Sequence, residues 1–162
     1  YEMRITFIAT GRLKAGQEAE LAARYIDRLA KAGPAIGIEF ARTLELAESR
    51  AQSAEQRKSE EAAELERNMP KGAFLILLDE RGKTLDSPEF AERLGQIRDD
   101  GRRDMVLAIG GPDGFDKDLR SRADLLISFG RMTWPHQLVR IMLAEQLYRA
   151  VTILSGHPYH RS

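Results

Sequence analysis

The 162-residue chain contains no cysteine. That excludes a disulfide framework and any cysteine-ligated metal, and it suits the cytoplasm, where we expect the protein to work. No run of about 18 apolar residues occurs, so no membrane span is expected. The N-terminus also lacks a charged-then-apolar leader. Tyr1 and Glu2 precede Met3, which reads as the natural start, and residues 3–162 are expected to form one domain. An excess of one charge is missing too, since 25 basic residues face 25 acidic ones. A net charge of zero argues against a protein that coats nucleic acid indiscriminately.

The charges that are present are unevenly placed. From Leu119 to Ser162 six arginines face two acids, a net +4, which leaves −4 for residues 1–118. Every basic residue of that C-terminal piece is arginine, the better planar partner for phosphates and bases. All three histidines, His136, His157 and His160, lie there as well. Apolar residues make up 43% of the chain, enough for a substantial core. A domain of this length should bury roughly two thirds of the surface its unfolded chain exposes.

Strand and helix patterns alternate throughout. Met3–Ala9 reads as a strand, and residues 16–32 carry apolar residues at helical spacing up to the stop at Gly33-Pro34. Residues 35–44 alternate and read as a second strand. Residues 49–68 form a charged, alanine-rich helix that reads as a solvated surface. Gly72–Leu78 and Met105–Ile109 are continuous apolar runs, the pattern of strands covered on both faces. Between them Ser87-Pro88 starts a helix, with serine expected as its N-cap. A short helix at 116–122, a third buried strand at 125–128 and a long helix at 135–154 complete the chain. There is no internal repeat and no linker. The order predicts an α/β fold, a mostly parallel sheet with helices on both faces. Ligands of such sheets sit at the carboxyl ends of the strands, here at Leu78-Asp79, Ile109-Gly110-Gly111 and Ser128–Trp134.

Four segments could carry chemistry. Gly110-Gly111-Pro112-Asp113-Gly114 follows a buried strand, and its paired glycines let a ligand approach the backbone. It has neither the spacing of a dinucleotide fingerprint nor that of a P-loop. Phe129–His136 leaves the third buried strand and holds the only tryptophan, Trp134, which could cover a flat ligand or simply pack. The helix at 135–154 has an apolar arc too wide for a surface helix, and a second copy of the chain is the simplest partner for it. Arg140 falls inside that arc, where it must pair or reach a ligand or a second subunit. Glu145 and Arg149 read as a helix-surface ion pair. The tail His157-Pro158-Tyr159-His160-Arg161 combines an imidazole for proton movement, a ring for stacking and a cation for phosphate. Two histidines without a carboxylate are too few for a metal, so none is expected.

Taken together, Leu77-Leu78-Asp79, Ile109–Gly114, the block Thr133–Ala150 and His157–Arg161 resemble the RlmH family. These are small SPOUT-class enzymes that methylate N3 of a pseudouridine in 23S rRNA. The resemblance spans the chain from Met3 and is most distinctive at the C-terminal end. It implies a trefoil knot at that end, a homodimer, and S-adenosylmethionine as methyl donor. By position the donor would contact Leu78, Gly111, Phe129, Gly130, Arg131, Met132, Thr133 and Trp134. Tyr159, His160 and Arg161 would form the catalytic, substrate-facing end. His160 is then the first candidate base, Tyr159 would stack on or position the target base, and Arg161 or Arg140 would hold phosphate or developing negative charge. Trp134-Pro135-His136 stands where many relatives carry Leu-Pro-His. Two other readings stay open at this level. One is a methyltransferase of the same fold acting on tRNA or another RNA; the other is a non-catalytic module that binds the ribosome.

Overall fold

A computed structural model describes residues 2–160, and of His160 the backbone alone. Five strands form one sheet: β1 (Met3–Thr10), β2 (Ile38–Leu46), β3 (Phe74–Lys83), β4 (Asp104–Ile109) and β5 (Leu125–Ile127). Their order is β2-β1-β4-β3-β5, and every neighbouring pair runs parallel. The helices are α1 (Gln17–Ala32), α2 (Ala54–Arg67), α3 (Ser87–Asp99), α4 (Lys117–Arg122) and α5 (His136–Ser155). The two crossovers that step one way along the sheet, through α1 and α3, use one face. The two that step the other way, through α2 and α4, use the opposite face. A sheet whose parallel crossovers all share one hand must divide its helices in this way. The helix α5 lies between α1 and α3 on their face.

Two apolar clusters cover the two faces. Ile5, Phe7, Ile76, Met105 and Leu107 meet Leu29, Leu94, Leu143, Leu147 and Val151 on one side. Ile8, Leu75, Leu77, Val106 and Ala108 meet Ala62, Leu65 and Leu119 on the other. The continuous apolar runs in β3 and β4 thus face a helix layer with both sets of side chains. Among the described residues no helix is long and apolar enough to cross a membrane.

Several element ends differ from the sequence expectation for identifiable reasons. Gly33–Ile36 forms a 3-10 turn and Gly37 takes a left-handed conformation (φ 76°), so β2 begins only at Ile38. Ser53 caps α2, and residues 49–53 precede the helix. The cap of α3 is Asp86, which accepts from Glu89 N–H at 2.8 Å while Glu89 accepts from Asp86 N–H at 3.0 Å. Ser87, expected in that role, is the first helical residue and donates to Gln146 Oε1 at 2.8 Å. The strand β3 continues past Leu78: residues 79–82 leave the ladder and Lys83 rejoins it, both Leu78 and Lys83 pairing with Ile127.

The apolar arc of α5 is largely covered within the chain. Leu143, Ala144, Leu147, Tyr148, Ala150 and Val151 are buried. Ile141, Met142, Ile153 and Leu154 stay partly open, and Leu138 is exposed.

Candidate active site

The carboxyl ends of four strands and the first turns of α5 enclose a cleft of about 690 Å³. The three expected strand ends do converge there: Leu78 to Arg81, Ile109 to Phe115, and Ile127 to Gly130. Met132, Thr133, Trp134, His136, Gln137 and Val139 continue the wall. Of the positions singled out for the methyl donor, Leu78, Gly111, Phe129, Gly130, Met132, Thr133 and Trp134 line this cleft. Arg131 belongs to the same loop but is exposed and does not line the cleft. Met132 is 76% and Trp134 40% exposed, so Trp134 is a rim residue and not core packing. Its indole N–H donates to Phe129 O at 3.4 Å. Gly130 takes φ 113°, a glycine conformation, and its N–H donates to Ser128 Oγ at 3.0 Å, which folds the loop back at its start.

A second part of the wall was not legible in the sequence. Gly11 and Arg12 after β1, Glu48 after β2 and Lys58 on α2 also line the cleft and bring charge to it. Arg57 grips Asp113 of the glycine loop through two hydrogen bonds, at 2.7 and 3.2 Å, and also donates to Ala51 O and Gln52 O. The Arg57 guanidinium holds the Asp113 carboxyl below its ordinary range. Behind the loop sits Glu61, which is 8% exposed. Its Oε2 accepts from Ser49 N–H at 2.8 Å, whereas its Oε1 is buried without a partner among the described residues. Burial, and then the charges of Asp113 and Glu48, push the Glu61 carboxyl up, against the Ser49 N–H and Arg57. A Cβ added to Gly111 would lie 3.1 Å from Glu61 Oε1 and 3.3 Å from Thr10 Cγ2. The loop is therefore pressed against its backing at the residue where the backbone faces the cleft.

Arg140 takes the first of the options open to it, which is to pair. It is 7% exposed. Its guanidinium lies 2.6 Å from Glu45 Oε2, donates to Gly11 O at 2.7 Å and donates to His136 Nε2 at 3.0 Å. These three acceptors account for its charge inside the chain, without a ligand or a second subunit. Burial pushes the Glu45 carboxyl up, but Leu13 N–H and Arg140 outweigh it and hold the group below its usual value. The ion pair Glu145–Arg149, expected on the surface, is partly buried at 2.8 Å because the tail covers it. Tyr159 donates its hydroxyl to Glu145 Oε2 at 2.9 Å, and its ring centroid lies 4.6 Å from that of Tyr148. Burial, then hydrogen bonding with Tyr25 and Glu145, pushes the Tyr159 phenol well above its ordinary value. The candidate base His160 ends a 3-10 turn over Pro158–His160, its side chain outside what is described, and Arg161 lies outside the described residues altogether.

The family model described as "Predicted SPOUT methyltransferase" matches residues 3–160. A protein of Agrobacterium fabrum called ribosomal RNA large subunit methyltransferase H is 64% identical over 159 residues, covering 98% of this chain and 99% of the relative. A protein of the same name from Rhizobium rhizogenes is 66% identical over 159 residues, again covering 98% and 99%. Among solved structures, a methyltransferase of Legionella pneumophila in complex with S-adenosylmethionine is similar at TM-score 0.48 and 15% identity. That likeness covers 94% of this chain and 66% of the other.

Proposed function

Because this chain belongs to the SPOUT methyltransferase family, and within it to the ribosomal RNA large subunit methyltransferase H group, we propose that it methylates N3 of a pseudouridine in 23S rRNA with S-adenosylmethionine as donor. The observation that carries the reading is the full-length identity together with the cleft at the strand ends. Membership of the group makes the chain an rRNA methyltransferase; the nucleotide and the atom are our assignment. The N-terminal charged wall and the C-terminal apolar wall would then belong to one domain over residues 3–162, working in the cytoplasm beside its RNA.

The cleft suits such a donor. Its volume lies within the range of small-molecule sites, about 300–1,000 Å³. Leu78, Ile127, Phe129, Val139 and the Trp134 rim make an apolar end suited to an adenosine. Gly111 and Gly130 bring backbone close without side chains. Arg12 and Lys58 suit a carboxylate or a phosphate, and Glu48 an ammonium group. When bound, S-adenosylmethionine supplies a methyl group on a positively charged sulfur. The chain's part is to hold the acceptor nitrogen in line, exclude water and remove a proton, since an imide N–H must lose its proton to become nucleophilic. We also assign the trefoil knot to the segment from β3 to α5. The departure of residues 79–82 from the β3–β5 ladder, beside the loop that leads into α5, supports that assignment.

The tail's position bears on the partner. A helix rises about 1.5 Å per residue, so Glu145, which holds Tyr159, stands about 13 Å along α5 from His136 at the cleft. The tail therefore serves the cleft of a second copy in our reading, with the half-open face of α5 (Leu138, Ile141, Met142) as part of the homodimer contact. Within it His160 is assigned as the base and Arg161 as the phosphate holder. Arg140, already paired, drops out of that role. Tyr159 positions the tail through Glu145 and Tyr148 and does not offer a free ring.

Truncation after Gly156 tests this. The shortened chain should fold, dimerise and bind S-adenosylmethionine by calorimetry, yet transfer no methyl to ribosomes, while full activity would refute the tail's role. Assaying ribosomes, free 23S rRNA and tRNA in parallel, with the methylated nucleotide mapped, decides the substrate.

A further inference from the structure

The cleft wall holds one histidine whose two ring nitrogens are in unlike situations. His136, the first residue of α5, accepts from Arg140 Nε at its Nε2, 3.0 Å away. A guanidinium does not give up its protons in proteins, so Nε2 must present a lone pair. The ring is then neutral and carries its proton on Nδ1, a tautomer that follows from the hydrogen-bond network. Protonating Nε2 would set N–H against N–H beside a buried cation. Burial first, and Arg140 second, push the imidazole below its ordinary pKa, against Glu48 and Glu45. The charged groups around it are Arg140 from α5, Glu45 at the end of β2, and Glu48 and Arg12 beyond the ends of β2 and β1. Among the described residues nothing bonds Nδ1, and the single buried polar side-chain atom without a partner is Glu61 Oε1. Nδ1 is therefore without a partner among the described residues, on a half-buried ring that lines the cleft.

Resting on the imide reading above, we propose that His136 is a catalytic residue whose Nδ1–H donates a hydrogen bond to a carbonyl oxygen of the target base as negative charge develops there. When the imide N–H proton leaves for the base, its electron pair spreads over the nitrogen and the flanking carbonyl oxygens. The same pair then forms the nitrogen–methyl bond as the carbon–sulfur bond returns its pair to sulfur. A neutral donor gains most when the oxygen becomes negative, so it favours the transition state over the neutral ground state. Arg12 and Lys58 also line the cleft, where they suit a carboxylate or a phosphate. His136 exchanges no proton in this role. Arg140 and Glu45 act through it, as positioning residues that fix its tautomer.

The test compares His136→Ala, His136→Asn and His136→Gln with the wild type, reading kcat and KM on ribosomes, donor affinity by calorimetry, and the imidazole tautomer by 15N NMR. Asparagine places an N–H near the Nδ1 position, whereas glutamine reaches nearer Nε2. The alanine variant should lose about 10²–10³-fold in kcat, the usual effect of removing one such donor, with KM and donor affinity nearly unchanged. Asparagine should recover most of the loss and glutamine little. The rising limb of kcat against pH should survive in the asparagine variant, and wild-type Nδ1 should be the protonated nitrogen at neutral pH. A kcat within about two-fold of wild type in the alanine variant overturns the proposal. So does lost donor affinity with kcat intact at saturation, which would give the N–H to the donor's carboxylate. Disappearance of the pH limb would make His136 the base, and an Nε2-protonated ring would also overturn it; that last reading needs only the wild type, should a variant fail to fold. If the wild type proves to methylate no imide nitrogen, the functional reading fails first, and mapping the nucleotide separates that outcome from the others.

Discussion

Replacing Arg140 by methionine removes the cation while keeping most of the apolar stem. The guanidinium has three partners, Glu45 at 2.6 Å, Gly11 O at 2.7 Å and His136 Nε2 at 3.0 Å. Breaking a buried ion pair by removing one member costs about 3–5 kcal/mol, because the other charge stays behind. Here the abandoned side chain, Glu45, is 33% exposed and still accepts from Leu13 N–H, so water and that amide take over part of the loss. We therefore expect roughly 2–3 kcal/mol. For a chain of this length each kcal/mol lowers Tm by about 2–4 °C, so the variant should melt about 4–12 °C lower. Circular dichroism melts at one fixed protein concentration measure this, since association shifts Tm by mass action. Glu45→Gln and the double variant close the cycle, and the two losses should be strongly non-additive. A fall below about 2 °C, or simple additivity, would refute the claim that this pair holds α5 against β1 and β2.

Three further substitutions probe the cleft and its supports. The raised pKa of Glu61 means the folded state binds its proton more readily than the unfolded chain. Its contribution is therefore full below the ordinary carboxylate value and is lost as pH rises through the folded value. Glu61→Gln should thus raise Tm more at about pH 8 than at about pH 5, and a difference independent of pH would remove the argument. At Gly82, an added Cβ would lie 2.6 Å from Ile127 N and Leu126 C, backbone atoms that cannot turn aside. Gly82→Ala should cost about 2–3 kcal/mol and weaken donor binding, because the displaced strand β5 leads into the cleft wall. At Gly111 the nearest atoms to an added Cβ are the ends of the Glu61 and Thr10 side chains, at 3.1 Å or more, so Gly111→Ala should cost less stability; equal melting losses would count against the comparison.

The C-terminal half of the cleft was readable because each strand there is an apolar run that ends abruptly in glycine or polar residues. Ile109-Gly110 and Ile127–Gly130 announce both a buried strand and its exit. The N-terminal half offers no such signal. Lys58 and Glu61 sit in a helix so rich in charge that its pattern matches a solvated surface, yet Glu61 is buried because α2 lies over the glycine loop. The position of Arg140 on an apolar arc calls for a partner, but no local rule points to Glu45, which is 95 positions earlier in the chain and beside it only because β2 ends and α5 begins at the same edge of the cleft. The cap of α3 lies one residue before the expected serine, since Asp86 and Ser87 are both good caps and the reciprocal bond with Glu89 chooses between them. The tail's residue types point to chemistry, but they do not foretell that the Tyr159 hydroxyl bonds Glu145 and that its ring packs on Tyr148 of α5.

The Arg140 cluster also bears on why a buried charge is kept at such a position. Ion pairs of this kind are weak evidence of stability, because well-packed apolar groups of similar volume often do as well. Directionality distinguishes this one. The apolar side chains of α5 that pack on α1 and α3 would tolerate small axial shifts of the helix. A guanidinium with fixed acceptors on β1, β2 and α5 itself would not. Such shifts would move His136 and Val139 relative to Gly111 and Leu78, across the cleft in which we propose that a methyl group and its acceptor align. Positioning on that scale governs rate steeply, since about 1 Å of misplacement can cost about 10²-fold. By this reasoning the methionine variant should lose more in kcat than its loss of stability would suggest, with the deficit persisting at temperatures far below its melting point.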